Sequence, residues 1–306
     1  MTDTVDRSTQ GRSIISALIV AMRPRQWAKN VLVFAAPLAA GQLFVPEVLL
    51  PSLGAFVVFC LISSATYLIN DVRDIEADRA HPRKSSRPIA AGQLPVPVAI
   101  TAAVVLAAAS LVISAFLSLA LVGVVVAYAV FTLAYSLGLK HEPVIELALL
   151  AVGFLLRAIA GGAASGLPIS QWFLIVAGFG SLFMAAGKRY SELDRFVREG
   201  NENDDSPKRK SLDGYTLGYL RFVWGVAAAV TITSYCLWAF DVAETPSSFP
   251  WAEWSVLPFV LAILRYGVSV DRGAAEAPED TALHDRVLLL LGLAWLILFG
   301  LGALGV

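Results

Sequence analysis

The run from Asn70 to Asp78, Asn-Asp-Val-Arg-Asp-Ile-Glu-Ala-Asp, holds the residue types in this chain that are best suited to chemistry. Asp71, Asp74 and Asp78 are spaced i, i+3, i+7, so a continuous helix would carry all three carboxylates on one face. Three carboxylates on one face repel one another unless cations neutralise them. Oxygen-only ligands suit Mg²⁺, which binds through a few carboxylates together with substrate phosphates. The alternative is a solvated helix end with chance acids, which the apolar segment before the run disfavours.

A basic loop rich in serine and proline, residues 79–92, follows the acidic run. Lys84 and Arg87 could neutralise the oxygens of a diphosphate whose remaining charge a metal ion bridges. Cytoplasmic loops of membrane proteins are basic for topological reasons as well, and for Arg79 and Arg83 the two explanations are equally good. The acidic run and this loop together predict a diphosphate site.

The elements that position these residues must be membrane helices. The chain has 306 residues, of which 57% are hydrophobic and 15% charged, and its mean hydropathy is +0.70. A soluble protein carries about 25% charged residues. The net charge of −1 and the composition give no nucleic-acid signature. Cys60 and Cys236 lie in apolar segments, which disfavours a disulfide framework, and the three histidines lack metal-ligand spacing.

Nine apolar segments are long enough to cross a bilayer, which takes about 20 residues of α-helix. They cover residues 30–46, 51–70, 97–117, 119–138, 143–163, 170–188, 217–240, 254–270 and 287–305. The apolar stretch 14–22 is too short to span and predicts an interfacial helix. We therefore expect an all-α, polytopic membrane bundle. Residues 1–29 would form a cytoplasmic N-terminus and residues 30–306 a transmembrane catalytic domain.

The distribution of lysine and arginine gives the topology. These residues concentrate before the first predicted span and in the connections between spans 2–3, 4–5, 6–7 and 8–9. By the positive-inside rule, the N-terminus and the acidic run are cytoplasmic and the C-terminus is outside. Lys188, Arg221 and Arg265 lie near the cytoplasmic ends of their spans, and Arg157 is left over, placed within span 5. An intramembrane cation usually faces a polar cavity, so Arg157 is a candidate phosphate ligand, with a structural pair to Glu146 or another acid as the alternative.

Two motifs resemble those of the UbiA-type superfamily of intramembrane transferases. The run Asn70 to Asp78, followed by His81-Pro82-x-Lys84-x-x-Arg87-Pro88, resembles the first aspartate-rich motif of that superfamily. Tyr135-Ser136-x-x-x-Lys140 and the nine predicted spans also match it. The resemblance implies an all-helical bundle with a central cavity that opens to the cytoplasm and to lipid. Most members transfer a prenyl group from a Mg²⁺-bound prenyl diphosphate to an aromatic acceptor.

The chain departs from the prenyl-transferring members at the second motif. Those enzymes carry another aspartate-rich cluster at the cytoplasmic end of span 6. Here the segment 188–194 reads Lys-Arg-Tyr-Ser-Glu-Leu-Asp, so two cations precede two acids. A donor with an additional phosphate, apart from its diphosphate, would explain the extra positive charge. Cytoplasmic topology explains Arg189 equally well.

Three segments are similar to one subgroup of the superfamily. They are Arg23-Pro24-x-Gln26-Trp27-x-Lys29-Asn30, Leu156-Arg157-Ala158-x-x-Gly161-Gly162 and Lys188-Arg189-Tyr190-x-Glu192. Members of that subgroup take phosphoribosyl diphosphate as donor and polyprenyl (decaprenyl) phosphate as acceptor, in the synthesis of actinobacterial cell-wall arabinan. The similarity implies a glycosyltransferase in the cell membrane, and it is compatible with a homo-oligomer.

The resemblance assigns expected roles to particular residues. Asp71, Asp74 and Asp78 would be catalytic, with Mg²⁺ held by Asn70, Asp74 and Asp78. The expected donor-binding or phosphate-binding residues are Lys29, Tyr67, Asn70, Lys84, Arg87, Lys140, Arg157, Lys188 and Arg189. For Tyr67, simple packing within the span is an equally good explanation. The acceptor phosphate is already anionic near neutral pH, so no general base is needed.

Two other functions remain open at this point. Prenyl transfer to an aromatic or quinone precursor would use the same acidic run. A membrane transporter would instead require inverted repeats and broken helices around a site at the membrane midplane. The acids here lie at a cytoplasmic helix end, which favours a transferase.

Overall fold

The computed structural model describes residues 13–82, 84–198, 212, 214–243, 249–275, 281 and 284–304, with side chains omitted at 242 and 243. Every regular element within these ranges is helical. The α-helices are α1 Ile14–Ala21, α2 Ala35–Ala39, α3 Pro46–Arg73, α4 Ile75–Arg79, α5 Val96–Leu117, α6 Leu119–Leu137, α7 Ile145–Ser165, α8 Gln171–Arg198, α9 Leu217–Ala243, α10 Trp251–Asp271 and α11 Arg286–Leu304. Three 3-10 helices cover Pro24–Phe34, Lys84–Ser86 and Leu139–His141.

Eight of the described helices are long and apolar enough to cross a membrane, namely α3 and α5 to α11. They coincide with eight of the nine predicted spans. The all-α, multi-pass bundle expected from the sequence is therefore confirmed. Leucine, valine and phenylalanine side chains on the outer faces of these helices are exposed, as expected where lipid rather than water is the solvent.

The first predicted span, residues 30–46, is not one continuous α-helix. An 11-residue 3-10 helix, Pro24–Phe34, leads instead into the five-residue α2. A 3-10 helix rises about 2.0 Å per residue against 1.5 Å for an α-helix, so the two elements together reach roughly 30 Å, close to the bilayer core. Its three-residue repeat directs Lys29, Leu32, Ala35 and Leu38 towards the central cavity. The hydropathy of residues 30–46 does not show whether they form a 3-10 helix or an α-helix.

Glycine on α7 allows the 3-10 helix to lie against the bundle. A Cβ atom at Gly161 would overlap the carbonyl oxygen of Val33, and one at Gly162 would press on Ala36 and Ile169. Small residues at such positions let membrane helices approach closely. The α7 backbone thus fixes the segment that carries Lys29.

The buried core has two main parts. One surrounds α3, α6 and α7, with Phe59, Leu121 and Leu156 among its members. The other surrounds α8, α9 and α10 and includes Phe183 and Leu220. The cavity lies between these two packed regions, because residues from both groups of helices line it.

Candidate active site

A cavity of about 730 Å³ lies at the centre of the bundle. Its polar lining lies near the C-terminal end of α3 and includes Arg23, Lys29, Tyr67, Asn70, Ser136, Lys188 and Arg189. Its apolar lining includes Leu38, Phe173, Val176, Tyr235, Trp238, Phe259, Trp295 and Phe299. Trp238 and Phe299 are close to the C-terminal ends of α9 and α11, which alternate in direction with α3. The cavity therefore runs from a charged end to an aromatic end.

The acidic run is interrupted by a helix boundary. Helix α3 ends at Arg73, α4 begins at Ile75, and Asp74 lies between them. The single continuous helix assumed from the i, i+3, i+7 spacing is therefore wrong in detail. Two of the three carboxylates still remain close to each other, because Asp71 and Asp78 share a partner.

That shared partner is Arg87. Its Nη1 atom lies 2.6 Å from Asp78 Oδ2 and 3.2 Å from Asp71 Oδ1. Asp71 Oδ1 also accepts a hydrogen bond from Arg23 Nη2 at 2.5 Å. Asp71 and Asp78 are buried, and a buried carboxylate needs such cationic partners. The basic loop thus folds back onto the acidic run, as the sequence predicts.

The end of α6 completes this cluster. Lys140, in the 3-10 helix Leu139–His141, donates hydrogen bonds to both oxygens of Asp74 at 3.1 Å. Ser136 Oγ donates to Asn70 Oδ1 at 3.0 Å. The Tyr135-Ser136-x-x-x-Lys140 motif therefore lies directly against the acidic run, although the two are far apart in sequence.

The described residues contain no group of three or more histidine, cysteine or acidic side chains that could together hold a metal ion. Asn70, Asp74 and Asp78 nevertheless offer side-chain oxygens, which are the ligands that Mg²⁺ prefers. Arg87 and Lys140 already supply positive charge to the carboxylates. Together with donor phosphates, these oxygens would fit a Mg²⁺ ion.

Arg157 is a buried cation on the cavity wall, as expected. Its guanidinium group donates to Asn30 Oδ1 at 3.0 Å, to Tyr128 OH at 2.6 Å and to the carbonyl oxygen of Gly153 at 2.7 Å. It also lies over the Tyr128 ring, 4.7 Å from the centroid. Among the described residues it forms no ion pair, so the alternative of a structural pair with Glu146 is wrong.

Glu146 pairs with Arg189 instead. Arg189 Nε donates to Glu146 Oε1 at 2.7 Å, and Nη2 contacts the same oxygen. Arg189 Nη1 lies 2.5 Å from Glu192 Oε2, and Nη2 is 3.5 Å from Tyr135 OH. Two carboxylates therefore neutralise one guanidinium group that is 2% exposed. These contacts bridge α7 and α8 and weaken the prediction that Arg189 binds a phosphate.

The remaining predicted site residues divide into two groups. Lys29, Tyr67 and Lys188 line the cavity. Lys84 is exposed on the short 3-10 helix Lys84–Ser86 and lies outside the cavity lining. The same lining omits Asp71, Asp74, Asp78, Arg87 and Lys140, so the acidic cluster adjoins the cavity through Arg23, Asn70 and Ser136. Arg83 lies outside the described residues.

Comparison with known proteins supports this geometry. A sequence model of the UbiA prenyltransferase family matches residues 30–282. The chain belongs to this family. A UbiA homolog from Archaeoglobus fulgidus, solved bound to GPP and Mg²⁺, superposes with a TM-score of 0.63 at 16% identity. The match covers 95% of this chain and all of that one, and at this identity it shows the shared fold.

Two curated relatives within this UbiA-type group are considerably more similar. The decaprenyl-phosphate phosphoribosyltransferase of Corynebacterium glutamicum is 51% identical over 290 residues, which cover 93% of this chain and 86% of the relative. The protein of the same name from Mycobacterium tuberculosis is 51% identical over 292 residues, which cover 94% of each chain.

Sequence reasoning missed two contributors to this UbiA-type site. Arg23 was noted only as part of a motif, yet its guanidinium group reaches Asp71. Tyr128 lies in the middle of an apolar helix and holds Arg157 through its hydroxyl group and its ring. A tyrosine at mid-span depth would have been the signal, because a buried hydroxyl group needs a partner.

Proposed function

We propose that this protein transfers 5-phosphoribosyl from phosphoribosyl diphosphate to polyprenyl (decaprenyl) phosphate, giving a lipid-linked phosphoribose for cell-wall arabinan. Both relatives at 51% identity carry the name of that activity. The observation that carries the proposal is Arg157. It is a buried cation without an acidic partner among the described residues, and it lies between the acidic cluster and the aromatic end of the cavity. A neutral aromatic acceptor would leave its charge uncompensated, whereas a lipid phosphate would neutralise it.

The metal-dependent part of the site would be the acidic cluster. Asn70, Asp74 and Asp78 would hold Mg²⁺, and that ion would supply positive charge to the diphosphate leaving group. The homolog solved with GPP and Mg²⁺ supports divalent-metal use in this fold. Asp71 would act by holding arginine side chains beside the donor.

Cations of the chain would take the remaining negative charge. Arg87 and Lys140 lie beside the acidic cluster, and exposed Lys84 lies on the same loop, so these three would contact the donor diphosphate as its C–O bond to the sugar breaks. Stabilising the leaving group is the main demand of such an oxocarbenium-like reaction. Lys188 is the better candidate for the 5-phosphate of the donor, because Arg189 is already neutralised by two carboxylates.

The acceptor would enter along the rest of the cavity. Its phosphate would contact Lys29 and Arg157, and its first isoprene units would pack against the aromatic end formed by Trp238, Phe259, Trp295 and Phe299. The phosphate oxygen is itself the nucleophile, so the chain needs no general base. Direct attack would invert the configuration at the anomeric carbon.

The membrane orientation follows from charge. The cationic and acidic end of the cavity would face the cytoplasm, and the C-terminus would lie outside. Phosphoribosyl diphosphate is water-soluble, so it would reach the site from the cytoplasm. Residues 30–306 would form the catalytic membrane domain, with residues 1–29 on the cytoplasmic side. A homo-oligomer is compatible with this arrangement.

The test is a transfer assay with the purified protein and two pairs of substrates. One pair is phosphoribosyl diphosphate with decaprenyl phosphate, and the other is a prenyl diphosphate with a neutral aromatic or quinone precursor. We expect mass spectrometry to detect a phosphoribosylated lipid that requires Mg²⁺ and has inverted anomeric configuration. Prenylation of the aromatic acceptor without any ribosylated lipid would overturn the proposal and favour the prenyltransferase alternative.

A further inference from the structure

Arg23 has a backbone conformation that an arginine rarely adopts. It joins α1 to the 3-10 helix Pro24–Phe34 with φ 56° and ψ 60°, in the left-handed region. Arg23 and Val144 are the two described residues other than glycine with positive φ. Glycine is the residue that fits such a position most readily. A strained residue of another type persists only when the surrounding structure holds it, and such residues cluster at functional sites.

The segment around Arg23 is held against α3. Trp27 Nε1 donates to Ser64 Oγ at 3.1 Å, and the same hydroxyl group lies 3.1 Å from the Met22 carbonyl oxygen and 2.7 Å from the Cys60 carbonyl oxygen, the two acceptors between which its single proton is shared. The Arg23 carbonyl oxygen accepts from the Gln26 amide at 2.8 Å. These contacts would hold the turn whichever side chain occupied position 23.

The side chain of Arg23 follows one face of α3 into the acidic cluster. Ser64, Tyr67 and Asp71 share that face, because they are spaced i, i+3, i+7. The guanidinium group lies over the Tyr67 ring, 5.0 Å from the centroid, and its Nη2 atom is 2.5 Å from Asp71 Oδ1. It also lines the cavity. Only one of its terminal nitrogens is bonded to Asp71 among the described residues.

Asp71 connects Arg23 to the basic loop. Its Oδ1 atom accepts from Arg23 and from Arg87, while the acidic partner of Lys140 is Asp74. The buried Asp71 carboxylate therefore positions two guanidinium groups. Arg23 precedes the acidic run in the sequence, and Arg87 follows it. Planar guanidinium groups bind phosphate oxygens in a bidentate manner.

We propose that Arg23 is a donor-binding residue that contacts the diphosphate, and that Asp71 is its positioning residue rather than a metal ligand. The inference rests on the proposed function and extends it. It brings the N-terminal segment into the donor site and pairs Arg23 with Arg87 across one carboxylate. The turn before the 3-10 helix then exists to place this side chain.

The test uses substitutions that separate the backbone from the charge. Arg23→Gly removes the guanidinium group and suits the left-handed backbone, whereas Arg23→Gln removes the charge and keeps the strain. Arg25→Gln is the matched control, because Arg25 is exposed and lies outside the cavity lining. Binding of phosphoribosyl diphosphate and of inorganic pyrophosphate, each with Mg²⁺, is measured by calorimetry.

We expect Arg23→Gly and Arg23→Gln to weaken the binding of both probes by about ten- to a hundredfold, the range for lost charged hydrogen bonds. The KM for decaprenyl phosphate should stay unchanged, and Arg23→Gly should remain folded because Arg87 still pairs with the buried Asp71 carboxylate. Arg25→Gln should bind like the wild type. Mn²⁺ binding without donor, followed by electron paramagnetic resonance, should not weaken in Asp71→Asn.

Results of two kinds would overturn the inference. The first kind concerns pyrophosphate: either Arg23→Gly binds it as tightly as the wild type does, or the wild type does not bind it at all. The other is loss of Mn²⁺ binding in Asp71→Asn, which would make Asp71 a metal ligand. Failure of the proposed function looks different, because the wild type would then bind pyrophosphate but not the ribosyl donor. In that case the effect of Arg23 on pyrophosphate alone still decides the inference.

Discussion

The two charged clusters at the polar end of the cavity differ in how far solvent reaches them. In the acidic run, the side chains of Arg23, Arg87 and Asp74 are 28%, 27% and 25% exposed. In the cluster that joins α7 and α8, Arg189 is 2% exposed and Glu146 is not exposed. Both contain carboxylates paired with cations, but Arg23 and Arg87 are each more than a quarter exposed, whereas the guanidinium group of Arg189 lines the cavity with two carboxylates already bound to it.

This difference in exposure indicates which cluster can bind a ligand and which one stabilises the packing of the helices. The Asp74–Lys140 pair is partly exposed on both sides, and such an open pair contributes little to stability, on the order of 0–1 kcal/mol, so its members can exchange partners when substrate arrives. A sealed pair cannot exchange without exposing an unpaired buried charge, which is strongly unfavourable. We therefore assign the acidic run to catalysis and the Glu146–Arg189–Glu192 cluster to holding α7 against α8.

The largest expected effect is on activity, at Asp74 in the open cluster. Asp74→Asn should lower the transfer rate at least about a thousandfold, because it removes a proposed metal ligand and the partner of Lys140. The free energy of unfolding should change by less than about 1 kcal/mol, as for other open pairs. Transfer kinetics and thermal unfolding in detergent measure the two quantities. Full activity in the variant would remove Asp74 from the metal site.

In the sealed Glu146–Arg189–Glu192 cluster we expect the opposite pattern, a large effect on stability and a small effect on activity. Glu146→Ala leaves the buried Nε and Nη2 donors of Arg189 without their carboxylate acceptor, with only the partly exposed Glu192 to balance the charge, and should destabilise the fold by about 3–5 kcal/mol. Glu192→Ala should destabilise it less, because Glu192 is partly exposed. Unfolding temperatures of the two variants, measured side by side, test this order. A stable Glu146→Ala protein with weakened donor binding would instead make this cluster part of the donor site.

Arg157 belongs to neither cluster and should affect the acceptor alone. Arg157→Met should raise the KM for decaprenyl phosphate by about ten- to a hundredfold and leave the KM for the ribosyl donor unchanged. Tyr128→Phe is the control, because it keeps the ring under Arg157 and removes one hydrogen bond, so a smaller change of the same kind is expected. An effect on the donor KM instead would assign Arg157 to the donor's phosphates.

Sequence patterns predicted the parts of this molecule that depend on local composition. The eight regular spans follow from hydropathy, and the basic loop that carries Arg87 comes directly after the acidic run in the sequence. The contact of Lys140 with Asp74 was not predicted, because 66 positions separate the two residues. The 3-10 helix was not predicted, because its first part, residues 24–29, is largely polar and its apolar residues 31–34 would suit an α-helix equally well. The partner of Glu146 was not predicted either, since hydropathy and motif spacing do not show which of two arginines on neighbouring helices an acid will face. The left-handed turn at Arg23 depends on contacts from Ser64, which are distant in sequence.

The smallest expected effect is that of salt, and it compares the two clusters within one protein. Raising ionic strength from about 0.05 to about 0.5 M shortens the screening length to a few ångströms, which weakens attraction between exposed charges more than between buried ones. The KM for the donor should therefore rise several-fold, because Arg87 and Lys140 are open to solvent. The difference in unfolding temperature between wild type and Glu146→Ala should stay the same. If that difference shrinks in step with donor affinity, solvent reaches both clusters, and the distinction between an exchangeable cluster and a sealed one no longer holds.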